Sequence, residues 1–190
     1  HAARAEHAAM NAIATRLVAL LAAAAVAGTA HGFTLDSPQI KANGTVPDAQ
    51  VYARCGGGNV SPQLAWRDPP GNARSFAVSV FDPDAPGGGF WHWVAFDIDV
   101  GAHGLNAGAG TPRSGNAPGD TVQLVNGFGE RGYSGPCPPA GAPHRYVFTV
   151  YALDVPKLGL DAGTDAGAAV AAIRRHALAS ASLTASYARH

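Results

Sequence analysis

Two aspartates separated by one proline are the first residues of this sequence that suggest chemistry. Asp82 and Asp84 flank Pro83 in DPDAP, and Pro86 follows two residues later. Proline fixes its own φ and restricts the residue before it, so a stiff backbone presents both carboxylates. The pattern predicts either an acidic turn, in which the carboxylates accept from local amides, or one wall of a binding site.

A histidine between two tryptophans is the second candidate. His92 lies in WHWV, within an aromatic and apolar run that is typical of a β-strand. Side chains alternate between the two faces of a strand, so we expect His92 on the face opposite Trp91 and Trp93. A lone histidine in a strand is more often a structural residue than a ligand contact, so this residue alone does not define a site.

A loop rich in glycine and proline is the third candidate. In GYSGPCPPAGAP, Gly135 precedes Pro136, and the prolines remove several backbone donors. The remaining amides of Ser134, Gly135 and Cys137 are expected to face a ligand. Clusters of backbone amides of this kind suit anions.

A second histidine and a tyrosine follow this loop in HRY. Alternation places His144 and Tyr146 on one strand face and Arg145 on the other. Two imidazoles, a phenol and backbone amides can donate to an oxyanion, while a carboxylate orients each histidine through its second ring nitrogen. If both imidazoles carry charge, anion binding should weaken as the pH rises through the histidine pKa values.

The same side chains allow two other interpretations. The aspartates, histidines and Tyr146 could act as general acids and bases, although no serine lies in a G-x-S-x-G context. Two histidines and a carboxylate could bind a metal, but His92 and His144 lack local metal-ligand spacing. We therefore predict that the protein binds no metal and no cofactor. We favour a binding protein over an enzyme and predict no catalytic residue.

Short strands separated by turn residues must position these groups. Runs of β-branched and aromatic residues predict three clear strands, at 74–82, 90–100 and 144–154. Weaker strand patterns occur at 33–38 and 46–53. Residues 118–129 are predicted to form a loop around a short apolar segment, and residues 101–119 a long surface loop.

The C-terminal part of the sequence changes to a helical pattern. The segment 161–179 is rich in alanine, offers Thr164 and Asp165 as N-caps, and has apolar residues at helical spacing. Residues 180–189 alternate again and are expected to add a final strand. We predict a mostly-β fold, an antiparallel β-sandwich of two packed sheets with a C-terminal helix and peripheral loops.

The first thirty residues resemble a secretory signal. Met10 is the only methionine, Arg16 precedes the apolar run 17–27, and small residues precede His31. The alternative is an ordinary N-terminal helix rich in alanine and leucine. We predict a signal peptide at about residues 10–30 within an extension 1–30, a single domain at 31–190 without a membrane span, and a periplasmic or secreted location.

Charge and cysteine content limit the remaining classes. Thirteen Lys and Arg residues balance thirteen Asp and Glu residues, so no broad basic surface for nucleic acid is expected. Cys55 and Cys137 could form a disulfide in an oxidising compartment. The alternative is two separate buried thiols, because the sequence does not place their Cα atoms within bridging range.

Taken in order, the motifs resemble the phosphatidylethanolamine-binding protein family, whose bacterial branch is also described as Raf-kinase-inhibitor-like. The resemblance covers residues 33–189. Two departures occur outside the histidine motifs: glycines in CGGGN where an acid is usual, and TASY where glycine commonly precedes tyrosine. The motifs that carry the resemblance are FTLDSPQI, CGGGNVSPQLAW, FDPDAP, WHWV, NGFGERGYSGPCPPAGAPHRYVFTVYALD and RRHALASASLTASYAR.

The resemblance implies a β-sandwich with a small anion pocket at one end of a sheet. It favours a disulfide between Cys55 and Cys137, which both lie in motifs near that pocket. It further implies an exported protein that binds phosphate or a phospholipid headgroup. The alternatives are an inhibitor of a kinase-like or other protein partner and an acid–base enzyme on a small substrate. The implied pocket residues are Asp82, Asp84, His92, Gly135, Pro136, His144 and Tyr146.

Overall fold

The computed structural model describes residues 32–112 and 116–189. The predicted signal peptide and the rest of the extension 1–30 lie outside the described residues. Within the described ranges, no helix is long and apolar enough to cross a membrane.

Eight strands and one α-helix form the described fold. Two single-turn 3₁₀ helices, Asp48–Gln50 and Ala53–Cys55, lie between the first two strands. The helix is α1, Ala166–His176. The strands are β1 (Thr34–Asp36), β2 (Leu64–Arg67), β3 (Ser75–Asp82), β4 (Phe90–Asp99), β5 (Gly104–Leu105), β6 (Val122–Gln123), β7 (His144–Leu153) and β8 (Ala177–Tyr187).

The strands form two antiparallel sheets. The larger has the order β6-β4-β3-β7-β8 and the smaller the order β1-β2-β5. One core lies between the sheets, where Trp66 of the small sheet joins Phe76 and Phe148 of the large one. The predicted mostly-β fold with antiparallel sheets and a helix near the C-terminus is confirmed.

A second core lies between the outer face of the large sheet and α1. Val170 and Ile173 pack there with Ala77 and Tyr151. Because the large sheet is covered on both faces, nearly every residue of β3 is buried, which explains its continuous apolar sequence. Asp165 caps α1 as predicted, since its carboxylate accepts from the amide of Ala168 at 2.9 Å.

Two strand and helix boundaries differ from the prediction. Residues 46–53 do not form a strand, because Pro47 begins a 3₁₀ turn and Val51 accepts from the amide of Asn59, which folds the chain back on itself. The predicted helical segment 161–179 ends at residue 176. Ala177 is already extended and pairs with Leu153 of β7, so sheet pairing overrides helical propensity there.

The segment 101–119 is also less exposed than predicted. It contributes β5 to the small sheet, and its Leu105 and Ala109 belong to the core between the sheets. Gly110 lies so close to the indole ring of Trp93 that a Cβ would collide with it. Its glycines therefore allow close packing as well as turns, and the strands β2 and β5 were missed by the sequence analysis.

Candidate functional site

The ends of three neighbouring strands meet at one edge of the large sheet. β3 ends at Asp82 opposite Phe90, where β4 begins, and β7 begins beside them at His144. A cavity of about 170 Å³ opens at this edge. Its lining residues are Asp82, Ala85, Pro86, Phe90, His92, Phe128, Cys137, Pro138, Pro139, His144 and Tyr146.

Asp82 is a buried carboxylate with three hydrogen-bond donors. Its Oδ1 accepts from the amides of Asp84 at 2.8 Å and Ala85 at 3.1 Å. Its Oδ2 lies 2.7 Å from Nδ1 of His144. Asp82 is therefore both the cap of a tight turn and the residue that orients His144, so both interpretations of DPDAP apply to this one side chain. With Nδ1 facing the carboxylate, Nε2 is the nitrogen of His144 left for a ligand.

His92 lies in a β-bulge, which changes its predicted position. Val80 and Phe81 of β3 pair with Trp93 and Trp91, and His92 between them has no partner. As a result the two tryptophans do not share a face: Trp93 packs between the sheets and Trp91 packs against the core beneath α1. The prediction of simple alternation was wrong here, and the bulge redirects the imidazole toward the sheet edge.

The imidazole of His92 is held by a backbone carbonyl and not by a carboxylate as predicted. Its Nδ1 lies 2.7 Å from the carbonyl oxygen of Ser134, which can only accept, so Nδ1 carries the hydrogen. Burial lowers the pKa of His92 to about 4, against opposing effects of the Ser134 carbonyl and the charge of Asp82. His92 is thus neutral above about pH 5, with an Nε2 lone pair, and not the charged donor that we expected.

Tyr146 completes the polar part of the cavity. Its side chain is buried, and its hydroxyl has no partner among the described residues at ordinary hydrogen-bond distance and angle; the carboxylate of Asp82 interacts with it more weakly. Its ring lies 5.1 Å from that of His92, edge to face. Burial, and then the charge of Asp82, raise the pKa of Tyr146 well above its usual range, so the phenol keeps its proton and remains a donor.

Aromatic rings and prolines form the remaining walls. Phe90 lies 4.8 Å from the His92 ring and 4.6 Å from Phe128, measured between ring centroids. Phe128 in turn stacks on Tyr52 at 4.3 Å. Neither phenylalanine was predicted as a lining residue. Their signal was an aromatic residue at the start of a strand and another between two glycines, and neither pattern is specific.

A disulfide joins Cys55 to Cys137, whose Cα atoms lie 5.6 Å apart. This confirms the pairing that the family resemblance implied. Cys137 lines the cavity together with Pro138 and Pro139. The covalent link therefore ties one cavity wall to the turn at Ala53–Cys55, 82 residues earlier in the chain.

Three predicted ligand contacts do not line the cavity. Asp84 instead binds Arg145 through both carboxylate oxygens, at 2.7 Å from Nη2 and 2.9 Å from Nε. The hydrogen bonds of this guanidinium hold the pKa of Asp84 well below its usual range. The pair lies on the surface beside the cavity, so the charge of Arg145 is matched there and not by a ligand inside.

Gly135 and Pro136 are the other two predicted ligand contacts that do not line the cavity. They belong to the loop whose backbone holds His92. The amide of Ser134 donates to the carbonyl of His92 at 3.0 Å, and that of Gly135 to Oδ1 of Asn59 at 2.9 Å. The carbonyl of Pro136 accepts from the amide of Tyr52 at 3.0 Å. The loop therefore does not offer the amides of Ser134 and Gly135 to an anion; it fixes the imidazole of His92 through the Ser134 carbonyl.

A polar network behind the loop was not predicted. Glu130 accepts from the hydroxyls of Tyr52 at 3.0 Å and Ser134 at 2.8 Å, and Asn126 donates to the Ser134 hydroxyl at 2.9 Å. These bonds satisfy buried polar groups and fix the loop that holds His92.

Among the described residues, no three His, Cys, Asp or Glu side chains are grouped to hold a metal ion.

Fold and site together define a class of protein, an antiparallel sandwich with an Asp–His–Tyr cavity at one sheet edge. The chain belongs to the phosphatidylethanolamine-binding protein family, whose sequence pattern matches residues 36–188. The family resemblance is thereby confirmed. Membership supports a ligand-binding or inhibitor-like role in general.

Three bacterial proteins illustrate the similarity. UPF0098 protein YbhB of Escherichia coli is 38% identical over 156 residues, which are 80% of this chain and 98% of YbhB. A crystal structure of E. coli YbcL, described as a new member of the mammalian PEBP family, matches with a TM-score of 0.81 at 36% identity, over 83% of this chain and 99% of that one. A protein named "Putative lipoprotein LppC" from Mycobacterium tuberculosis is 38% identical over 130 residues, 68% of this chain and 59% of LppC.

Proposed function

We infer that this chain is a binding protein whose cavity holds a small oxyanion of the phosphate class, either free or as the headgroup of a larger molecule. His92, His144 and Tyr146 are the proposed polar contacts, and Asp82 is the carboxylate that orients His144. Phe90 and Phe128 are the proposed apolar contacts. Asp84, Gly135 and Pro136 are assigned to the supporting structure because of the hydrogen bonds that they or their neighbours make.

The unpaired hydroxyl of Tyr146 carries this proposal. A buried donor without an acceptor costs about 1–3 kcal/mol, and buried polar groups in folded proteins are nearly always paired. Tyr146 lines a cavity that is also lined by an imidazole already oriented by Asp82. An oxyanion would accept from the phenol and, when His144 is protonated, from its Nε2 as well.

The size of the cavity supports a headgroup-sized ligand. Pockets for drug-sized molecules have volumes of about 300–1,000 Å³, whereas this cavity has about 170 Å³. A phosphate group with a short substituent is compatible with that volume, while the tail of a lipid would have to remain outside. The phenylalanine and proline walls would contact the substituent.

Thermal unfolding of the full chain against inorganic phosphate and phosphoethanolamine tests the proposal. A ligand at about 100 times its dissociation constant should stabilise the protein by roughly 2.7 kcal/mol. The variant Tyr146→Phe removes only this hydroxyl, so we expect affinity to fall by about tenfold or more, since a hydrogen bond to a charged group contributes about 1.5–3 kcal/mol. Unliganded stability should not fall.

Tyr151→Phe is the matched control. Tyr151 lies on the same strand but in the core beneath α1, where its hydroxyl is 3.4 Å from Oγ of Ser79. This variant should lose some stability, about 1 kcal/mol, and keep its affinity for phosphate. An absent ligand shift in the wild type, or equal affinity in Tyr146→Phe and the wild type, would contradict the assignment.

Acid–base catalysis is a second candidate, favoured by the 2.7 Å hydrogen bond between His144 and Asp82. A carboxylate that orients an imidazole is a common element of proton-transfer sites. Prolonged incubation with phosphoethanolamine, followed by phosphorus NMR, would detect release of phosphate. Release by the wild type but not by His144→Ala would favour an enzyme, and unchanged ligand would favour binding alone.

Export is proposed as well, with residues 31–190 as the mature domain. The disulfide Cys55–Cys137 supports it, because such bonds persist mainly in oxidising compartments. The lipoprotein name of one relative and the signal-like pattern at about residues 10–30 agree with it. Cell fractionation should find a shortened, oxidised chain outside the cytoplasm. An unprocessed chain in the cytoplasm would contradict export.

A further inference from the structure

We propose that a second cavity, separate from the one at the sheet edge, binds short peptides by their two charged ends. This cavity has a volume of about 660 Å³, within the range of about 300–1,000 Å³ that is usual for binding sites of small molecules. None of its lining residues lines the cavity at the sheet edge, so the inference does not depend on the proposed function. Its polar lining residues are Asn59, Thr111, Gln123, Glu130 and Arg131.

The carboxylate of Glu130 is fixed in position but carries a charge that no cation matches. It accepts from the hydroxyls of Tyr52 at 3.0 Å and Ser134 at 2.8 Å. Burial, and then the hydrogen bond to Glu130, raise the pKa of Tyr52, so this phenol stays protonated and neutral. Among the described residues, no lysine, arginine or histidine forms an ion pair with Glu130. A ligand ammonium would supply the missing charge.

The guanidinium of Arg131 is fixed and unmatched in the same way. Its Nη1 donates to the carbonyl oxygens of Gln123 at 2.8 Å and Ala162 at 2.9 Å. In the part of the chain that the structure describes, Nε and Nη2 have no acceptor, and no acid, Glu130 included, forms an ion pair with Arg131. Nε and Nη2 form a planar fork that suits both oxygens of a carboxylate.

A short peptide combines the two charges that this cavity lacks with the groups that the rest of the lining can bind. Its ammonium matches Glu130, and its carboxylate matches Arg131. Oδ1 of Asn59 accepts from the amide of Gly135 at 2.9 Å, which leaves Nδ2 as a donor for a peptide carbonyl. A ligand with a single charge would leave one of the two charged side chains without a counter-charge.

Three forms of one peptide test the proposal on the unmodified full chain. Triglycine carries both charges at about pH 6.5, because the pKa of an α-amino group is near 8. N-acetyl-triglycine lacks the ammonium, and triglycinamide lacks the carboxylate. Calorimetric titration should show saturable binding of triglycine, and each blocked peptide should bind at least about fivefold more weakly. Glycine has both charges but no peptide group, and it should also bind more weakly than triglycine.

Two variants assign each end of the peptide to a side chain. Arg131→Gln should weaken triglycine binding at least about fivefold and leave triglycinamide binding unchanged, since the blocked peptide has no carboxylate to lose. Glu130→Gln should weaken triglycine binding and leave N-acetyl-triglycine binding unchanged. Arg174→Gln is the matched control, because Arg174 is an exposed arginine on α1 that also has no ion pair with a described residue. It should bind triglycine as the wild type does.

Several outcomes would overturn the proposal. Triglycine would then fail to bind at up to about 10 mM, a concentration that occupies even a weak site, or it would bind no more tightly than its blocked forms. Equal affinity for glycine and triglycine would overturn the assignment to peptides. Equal losses in Arg131→Gln and Arg174→Gln would show a general effect of charge and overturn the site. Failure of inorganic phosphate to bind would overturn the proposed function alone, because peptide binding is measured without phosphate.

Discussion

Two aspartate–histidine pairs lie at opposite ends of β7, at nearly equal distances and in different surroundings. At the start of the strand, His144 is 2.7 Å from Asp82; just past its end, Asp154 is 2.8 Å from His176. The side chains of the first pair are 14% and 4% exposed, and those of the second 41% and 50%. Residue types and distance are therefore the same, and only the environment differs.

The environment gives the two pairs different consequences. Asp82 also accepts from two backbone amides, and its pair faces a walled cavity with an unpaired phenol. The Asp154–His176 pair is open to water, where ion pairs contribute about 0–1 kcal/mol and are screened by salt. A carboxylate and an imidazole therefore form a candidate site only where backbone donors, cavity walls and an unpaired donor lie beside them.

The largest expected difference concerns removal of the two carboxylates. Asp82→Ala leaves His144 and the amides of Asp84 and Ala85 without an acceptor, so we expect a loss of about 3–5 kcal/mol in unfolding free energy. Asp154→Ala should change it by no more than about 0.5 kcal/mol. Urea unfolding of both variants measures this, and losses of similar size would refute the distinction between the pairs.

A smaller effect is expected from the pH dependence of stability. Because the pKa of His92 is lowered to about 4 in the folded protein and is about 6.5 when unfolded, the unfolded chain binds more protons between these values. His92 therefore costs almost no stability above about pH 7.5, and stability falls progressively as the pH drops toward 4. Between about pH 7.5 and 5 the loss should be roughly 2 kcal/mol.

His92→Gln is the control for this effect. Glutamine does not titrate, so the stability of the variant should change less between those pH values than that of the wild type. Chemical unfolding at a series of pH values compares the two proteins. Parallel curves for wild type and variant would show that His92 is not buried in neutral form.

Local residue patterns were sufficient to predict most of the large sheet. β3, β4 and β7 are apolar on both faces because α1 and the small sheet cover them, and such strands are readily recognised. By contrast, β2 and β5 are short and depend on partners far away in the chain, as do the turns at 48–55. Their conformation is determined by tertiary contacts, which a local pattern does not contain.

The candidate site was likewise predicted only where a local residue pattern determines the geometry. His144 and Tyr146 lie two residues apart in one strand, so alternation brought them to one face, as both line the cavity. The bulge at His92 and the use of the Gly135 amide by Asn59 depend on long-range contacts, and both were missed. The position of Asp84 was missed because a DPD motif does not reveal which carboxylate finds a cation nearby.

The smallest effect is expected from substitution of Arg145, the surface cation that pairs with Asp84. This substitution tests whether the guanidinium lies outside the ligand site. In an alternative arrangement, Arg145 would turn inward to neutralise the ligand, as arginines commonly do with phosphate. Here its Nη2 and Nε hold Asp84, and its side chain is 60% exposed, outside the lining of the cavity. Arg145→Gln should therefore lower phosphate affinity by less than about threefold, the residual effect of a screened charge near the opening. Titration of both variants with phosphate at low and high salt measures this change in affinity. Lys157→Gln is the control, because Lys157 is also a surface cation paired with a carboxylate. A tenfold loss confined to Arg145→Gln would place the guanidinium on the ligand and make the charge of the site, rather than its walls, the main difference between the two ends of β7.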